Sequence, residues 1–587
     1  MDRGDAVTSR DRNVSDEPYR FVLPQPRRIS RTGMSVNRAQ IDAAPAVDRD
    51  SSIPRGGYIL RISPAGVAIT VSDEAGARHA NATLAQIRRL PGNEFPAAII
   101  EDEPTLARRG VMLDVSRCRI PQMRESACMI ETFASLKLDH LQCYTEHAFA
   151  YRDHPSVWEG TDPITPPEAR SLDGLCRRHG IELAANQNCF GHLTRWLKQP
   201  EYARLAETHA DWVFAGMPRS GPFSLCPTDA RSLPFVESLL DELLPCFESN
   251  LVNIGCDETY DVGQGRSAGA VNALGKAEVY GKFVGAICRA VLDRRKTPMF
   301  WADIARAHPR AVGHIPAEAH ALVWGYEPGH DFTAEGALHR EQGRAWWVCP
   351  GTSSWRGFTG RTTERRANIR EAAFAGVSGG AAGMLITDWG DLGHRQVWPI
   401  ALLAITDGAD AAWTGEARGT DFLQAASLQV FGDPSGNVAP WIEELGNADE
   451  PIRAIAGPPT ADKTPSRLAN ASALFTELHP PPLRLGLPAS TVPWRDCRDR
   501  LENLGTRVPT GGGPLIEAEL RHALACSLWS CDVAIARRGG AIDAASLRTQ
   551  REAITREHDR LWRLRSRPGG LDESLAYWNE IELGERS

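Results

Sequence analysis

Leu251-Val252-Asn253-Ile254-Gly255-Cys256-Asp257-Glu258-Thr259 is a short apolar run that ends in two adjacent carboxylates. Leu251–Cys256 reads as a buried strand. Neighbouring side chains on a strand point to opposite faces, so Asp257 and Glu258 cannot face each other while the chain stays extended. At the strand end the backbone can turn and bring both to one rim. Two carboxylates in different surroundings can then divide the work, one staying charged and one serving as an acid. Spacing alone leaves a second reading open, in which the pair is exposed and caps the next segment.

Seven similar runs flank this one: Val111–Ser116, Leu138–Thr145, Ile181–Gln187, Pro298–Ala302, His320–Gly325, Arg344–Cys349 and Gly383–Asp388. Longer stretches with helical spacing separate them, among them Pro166–His179, Arg231–Glu248, Val271–Arg294 and Thr363–Ala375. Strands alternating with helices imply parallel βαβ units, and eight such units close a (β/α)8 barrel, an α/β fold. In such a barrel the reactive groups stand at the C-terminal strand ends. Those ends carry Asp114 with Arg117, Glu146 with His147, Gln187 with His192, Asp257 with Glu258, Trp301 with Asp303, Trp324 with Tyr326, Ser353 with Trp355, and Trp389 with Asp391. Carboxylates, a guanidinium, imidazoles and indoles on one rim suit a sugar, whose C–H faces stack on indole while its hydroxyls bond to carboxylates.

The flanks follow a different rhythm. Residues 1–20 read as a charged, disordered tail, and 21–103 as a small α+β domain. In that domain Tyr58–Ile62 and Val67–Val71 alternate as strands, and Ala80–Leu90 has helical spacing. The barrel spans 104–415. Residues 416–587 read as a mostly helical C-terminal domain, with helices over Leu515–Arg538 and Ala544–Arg565. Two roles stay open for it: covering an active-site edge or forming a homodimer contact. The Gly511-Gly512-Gly513-Pro514 turn lacks the Lys of a phosphate loop and reads as a linker.

Composition narrows the function. The 587 residues are 42% hydrophobic and 24% charged, enough apolar material for a core. Lys plus Arg total 66 against 74 Asp plus Glu, a net charge of −8. That balance argues against a nucleic-acid or membrane-surface partner. No apolar run is long enough to span a bilayer, and the charged first thirty residues lack a signal core. Thirteen scattered cysteines without a CxxC suggest buried thiols in a reducing, cytoplasmic setting rather than disulfides or structural zinc. No cofactor or metal is expected.

The ordered motifs resemble glycoside hydrolase family 20, the β-N-acetylhexosaminidases. Arg109-Gly110-Val111-Met112-Leu113-Asp114-Val115-Ser116-Arg117 with Lys137-Leu138-Asp139-His140-Leu141 is similar to that family's opening barrel unit. Ile254-Gly255-Cys256-Asp257-Glu258 is similar to its catalytic strand, and Thr387-Asp388-Trp389-Gly390-Asp391 to its last strand. Tyr58–Leu90 resembles its small N-terminal domain, and the likeness covers roughly residues 20–415. The resemblance implies an exo-acting enzyme that removes terminal β-linked GlcNAc or GalNAc from an oligosaccharide or glycoconjugate, with retention. It is among the substrate-assisted exceptions to the two-carboxylate scheme. By the match, Asp257 holds the acetamido N–H and stabilises an oxazolinium ion, while Glu258 is the acid and base, a role that calls for a raised pKa. Arg117, Glu146, His192, Trp301, Trp324, Tyr326, Trp355, Trp389 and Asp391 line the sugar site.

The chain also departs from the family. The second strand ends Thr145-Glu146-His147 instead of in paired aspartates. The seventh is followed by Gly351-Thr352-Ser353-Ser354-Trp355, without a Tyr and Asp, so Tyr326 is the stand-in for the tyrosine. Two competing readings are a catalytically silent sugar-binding barrel and a metal-dependent hydrolase using His147, His192, Asp257 and Glu258.

Overall fold

The computed structural model describes residues 18–583, apart from 215, 417–418, 420, 457–467, 469, 481–483 and 485. The charged tail read over residues 1–20 lies almost wholly outside the described residues.

Five strands open the chain: β1 (Arg28–Asn37), β2 (Ala46–Arg49), β3 (Tyr58–Ser63), β4 (Gly66–Val71) and β5 (Glu94–Asp102). They form one sheet in the order β1-β5-β3-β4-β2. The helix Glu74–Arg89 covers its inner face with Ala80, Leu84 and Ile87. It starts a turn and a half before the expected Ala80, because the Asp73 carboxylate caps it by accepting from the Gly76 N–H. A buried ion pair ties this unit to the barrel: Lys137 Nζ lies 2.9 Å from Asp102 Oδ2, and Trp413 Nε1 donates to the same carboxylate.

The barrel follows as β6 (Arg108–Asp114), β7 (His140–Tyr144), β8 (Glu182–Asn186), then, after a hairpin of β9 (Asp211–Phe214) and β10 (Met217–Ser220), β11 (Leu251–Asn253), β12 (Thr297–Trp301), β13 (His320–Trp324), β14 (Trp346–Cys349) and β15 (Gly383–Asp388). β6 to β8 and β11 to β15 close into one parallel barrel, β15 pairing with β6 from Gly383↔Arg108 to Asp388↔Leu113. All eight barrel strands read from the sequence are present. They are legible because a parallel strand covered on both faces is a near-continuous apolar run. The barrel interior is packed with Met112, Met299, Leu322, Trp347 and Leu385.

The helix expected over Val271–Arg294 is two helices, Ala268–Leu274 and Lys276–Asp293, broken where Gly275 takes φ 87°. A left-handed residue ends a helix, and only glycine adopts that conformation cheaply. The C-terminal region is helical, with its longest helices at Pro514–Arg537 and Ala544–Arg565.

This region packs behind two loops of the barrel's C-terminal face. Arg567 N–H donates to Ile120 O (2.8 Å), and Arg119 Nε donates to Ser566 Oγ (3.0 Å). Ser574 Oγ donates to Gly393 O and lies 2.9 Å from His558 Nε2. Arg395 lies over Phe475 (4.3 Å) and Trp578 (5.0 Å). These contacts set the C-terminal helices against the loops that follow β6 and β15. No helix among the described residues is long and apolar enough to cross a membrane.

Candidate active site

β11 ends at Asn253, and the next six residues build the centre of the site. Gly255, Cys256 and Glu258 all take positive φ, at 67°, 74° and 53°. Such angles cost about 1–3 kcal/mol each for a residue with a side chain and persist only where surroundings enforce them. At Gly255 a Cβ would sit 1.5 Å from Asn188 Oδ1, so no other residue fits there. The enforcing bonds come from neighbouring strands and helices. Trp301 N–H donates to Gly255 O (3.0 Å), Tyr280 Oη to Cys256 O (2.9 Å), and Lys276 Nζ to Thr259 O (2.8 Å). Glu258 N–H donates to Asp303 Oδ2 (3.0 Å). The twisted backbone lets both Asp257 and Glu258 reach the rim, which an extended strand would forbid.

His192 joins the two halves of the site. Its Nε2 lies 3.4 Å from Asp257 Oδ2 and 3.3 Å from Glu258 Oε2, and its Nδ1 lies 3.5 Å from Glu146 Oε1. Gly191 allows this approach, since a Cβ there would meet Asp257 O at 2.6 Å. Burial alone would lower the His192 pKa, but the Asp257 charge and the bonds to Asp257, Glu146 and Glu258 raise it well above the usual value. The three acidic neighbours thus favour the protonated form of the ring.

On the other side of His192, Arg117 gathers Asp114 (3.1 Å), Glu146 (3.2 Å) and Asp391 (3.7 Å). Its guanidinium lies over Tyr144 (4.8 Å) and Trp389 (5.2 Å). Burial opposes ionisation of Glu146, yet Arg117 and His192 hold its pKa near 2. Asp114 also receives the Gly390 N–H (3.0 Å), which locks the end of β6 to the loop that carries Asp391.

The aromatic residues form a connected wall. Trp389 Nε1 donates to the Tyr326 hydroxyl (2.8 Å). Tyr326 stacks on Trp324 (5.2 Å) and meets Trp355 edge-on (5.1 Å), while Trp301 lies 6.0 Å from Trp389. Trp301 and Trp355 are each only 1% exposed, so they back the wall, whereas Tyr326 and Trp389 are 8% exposed and stand nearer its surface. Trp301 Nε1, Trp324 Nε1 and Asp257 Oδ1 are buried and have no partner within the protein.

The structure thus brings Asp257, Glu258, Arg117, Glu146, His192, Trp389 and Asp391 together around one recess, with Trp301, Trp324, Tyr326 and Trp355 in its wall. His147 stands apart. Burial, with Arg195 nearby, holds it neutral at a pKa near 4. Of the four residues in the metal-hydrolase reading, three converge, since His192, Asp257 and Glu258 place ligand atoms within 4.8 Å of one another.

The sequence assigns no role to one strand-end residue that the structure places in the site. Asp303, two residues past the end of β12, is buried beside Asp257 and holds the Glu258 backbone. Burial and the Asp257 charge raise its pKa to about 8. Its carboxylate bonds a main-chain N–H, and no side-chain pattern in the sequence announces that.

Fold and site together define a (β/α)8 barrel whose C-terminal face gathers carboxylates, a guanidinium, an imidazole and aromatic rings around an acid pair after the fourth barrel strand. Comparison with known proteins gives the family. Glycosyl hydrolase family 20, catalytic domain, matches residues 107–337, and domain 2 of that family matches 22–103. The chain belongs to glycoside hydrolase family 20.

Among curated relatives, Hexosaminidase D of Homo sapiens is 24% identical over 289 residues, covering 45% of this chain and 56% of that protein. Hexosaminidase D of Bos taurus is 23% identical over 330 residues, covering 51% and 91%. The chain spans about half the length of most curated relatives it matches. Among solved structures, the exo β-N-acetylglucosaminidase of Vibrio harveyi in complex with N-acetylglucosamine has a TM-score of 0.58 at 17% identity, covering 70% of this chain and 78% of that one. The chitobiase of Flavobacterium johnsoniae has a TM-score of 0.57 at 15% identity, covering 93% and 99%. These structural likenesses establish the fold.

Proposed function

We propose that this chain is an exo-acting β-N-acetylhexosaminidase that removes terminal β-linked GlcNAc or GalNAc with retention, by substrate-assisted catalysis. The observation that carries this reading is Asp257, whose Oδ1 is buried and without a protein partner beside Glu258. A buried carboxylate oxygen without a protein partner suits an acetamido N–H arriving with the substrate. The acetamido carbonyl oxygen then attacks C1, and the glycosidic C1–O bond breaks. Glu258 donates its proton to the leaving oxygen, and Asp257 balances the charge of the oxazolinium ion. Water attacks C1 in the second step, gives its proton to Glu258, and the acetamide re-forms. Holding an internal nucleophile at bonding distance supplies much of the rate.

Arg117 and Asp391 are assigned to the sugar hydroxyls. The Tyr326 hydroxyl, oriented by its bond from Trp389, is assigned to the acetamido oxygen. Trp389 and Trp324 support the ring and acetamide, with Trp301 and Trp355 behind them. The relatives named as hexosaminidases support the substrate class. All thirteen cysteines are unpaired, in keeping with a reducing, cytoplasmic setting.

The test replaces the acetamido group of an aryl substrate by its mono-, di- and trifluoro forms. Each fluorine weakens the carbonyl oxygen as a nucleophile, so kcat falls steeply along the series and the first-formed product is the β-anomer. A flat series with inverted product refutes the mechanism.

A further inference from the structure

Between β8 and β11 the chain carries an insertion that the site described above does not use. Its hairpin, β9 and β10, is fixed to the segment after the acid pair by Gln264, which accepts from the Val213 N–H (2.9 Å) and donates to Val213 O (3.0 Å). Four aromatic rings meet there. Trp212 is buried, its Nε1 donates to Gly221 O, and it supports Phe214 (5.8 Å) and Phe223 (5.4 Å). Phe214 lies 4.9 Å from Tyr260 and 6.0 Å from Phe223. Phe214, Phe223 and Tyr260 are all half-buried, so the cluster keeps part of each ring open. The Arg219 guanidinium covers one edge, 5.2 Å over Phe214.

The placement of this cluster says what it faces. His192 divides the recess into two poles. Its Nδ1 side holds Glu146 and Arg117, and its Nε2 side holds Asp257 and Glu258. Phe223 packs on the His192 ring at 4.7 Å, and Tyr260 is two residues past Glu258 with its N–H bonded to Glu258 O. The rings therefore stand at the acid's pole, away from Arg117. An acid must lie within hydrogen-bond reach of the leaving oxygen, so whatever that oxygen belongs to lies against these rings.

We propose that Phe214, Phe223 and Tyr260 form a leaving-group subsite that takes a second pyranose ring by stacking on its C–H face. The proposal rests on the reading of Glu258 as the acid. It extends that reading from the sugar cleaved to the group released. The rings stand steeply to one another, Phe214 at 64° to Tyr260 and 82° to Phe223, so a sugar stacks on one ring face and meets the edges of the others. Such an apolar corner suits the C–H face of a sugar ring better than a serine or threonine side chain of a glycopeptide, so the preferred substrates are oligosaccharides.

The experiment measures kcat/KM for the β-linked GlcNAc disaccharide and for methyl β-N-acetylglucosaminide, in the wild-type chain and in Phe214→Ala, Tyr260→Ala and Tyr260→Phe. The quantity read is the disaccharide-to-methyl ratio. One lost stacking contact lowers that ratio about 3- to 10-fold in each alanine variant. Tyr260→Phe keeps its ring and its ratio, which separates stacking from disturbance of the neighbouring acid. Ratios within 2-fold of wild type in both alanine variants overturn the subsite while leaving the hexosaminidase reading intact. A wild-type chain that cleaves neither glycoside contradicts that reading and the subsite with it.

Discussion

His192 Nε2 stands 3.3 Å from Glu258 Oε2, and the same ring reaches Glu146 through Nδ1. One buried imidazole thus couples the group assigned as acid to the group that anchors Arg117. His192→Phe keeps the packing against Phe223 but removes both nitrogens. Its kcat is expected to fall about 10²-fold, while KM moves less. The mechanism proposed for Asp257 and Glu258 has no step that needs a metal, so a chelator is expected to leave the wild-type rate unchanged, as steady-state assays with and without EDTA will read.

Arg117 holds three carboxylates in a fork geometry that a lysine cannot reproduce. Arg117→Lys is expected to raise KM about 10-fold or more. Arg117→Ala leaves Asp114 buried without its ion-pair partner and Glu146 with His192 alone, and is expected to cost about 3–5 kcal/mol in denaturant unfolding.

Asp303 gives a pH signature. Its folded pKa, about 8, exceeds the ordinary aspartate value. In the unfolded chain it ionises near pH 4, so between about pH 4 and 8 the folded state holds a proton that the unfolded state has lost. This group's contribution to stability therefore declines as pH rises through that window. Asp303→Asn keeps an oxygen acceptor for the Glu258 N–H and removes the ionisation. Its Tm relative to wild type is expected to become more favourable from pH 5 to pH 8, as thermal melts at both values will show.

The C-terminal helices act on the site from behind. Trp578 is fully buried, stacked on Phe358 (5.5 Å) and close to Arg395 of the loop after β15. Trp578→Ala is expected to cost about 3–5 kcal/mol. In the fraction that remains folded, KM is expected to rise more than kcat falls, because the loop braced here carries Asp391. Melts and steady-state kinetics on one preparation separate the two effects.

Much of this was legible in the sequence for a physical reason. Each barrel strand is shielded on both faces, so Val111 to Asp114 or Gly383 to Asp388 reads as a strand without knowledge of its partners. The strand-end rule then placed Asp257, Glu258 and Arg117 on one rim. What stayed hidden depends on contacts through space. Asp211–Phe214 and Met217–Ser220 are too short and too exposed to signal strands, so the aromatic hairpin went unread. The break at Gly275 is hidden inside a continuous helical period. Asp303 acts on the main-chain N–H of Glu258, which follows the neighbouring strand, and no spacing rule reports such a bond.

The central claim is that Glu258 protonates the oxygen leaving an N-acetylhexosamine. The most direct measurement sets aryl β-N-acetylglucosaminide, aryl β-N-acetylgalactosaminide and aryl β-glucoside side by side for wild type, Glu258→Gln and Asp257→Asn. The account predicts turnover of the acetamido sugars alone. It predicts losses of about 10²–10⁴ in the variants, with Glu258→Gln recovering most for aryl groups that leave without protonation and Asp257→Asn recovering little. Full activity in a folded Glu258→Gln chain, or equal hydrolysis of the plain glucoside, would contradict it.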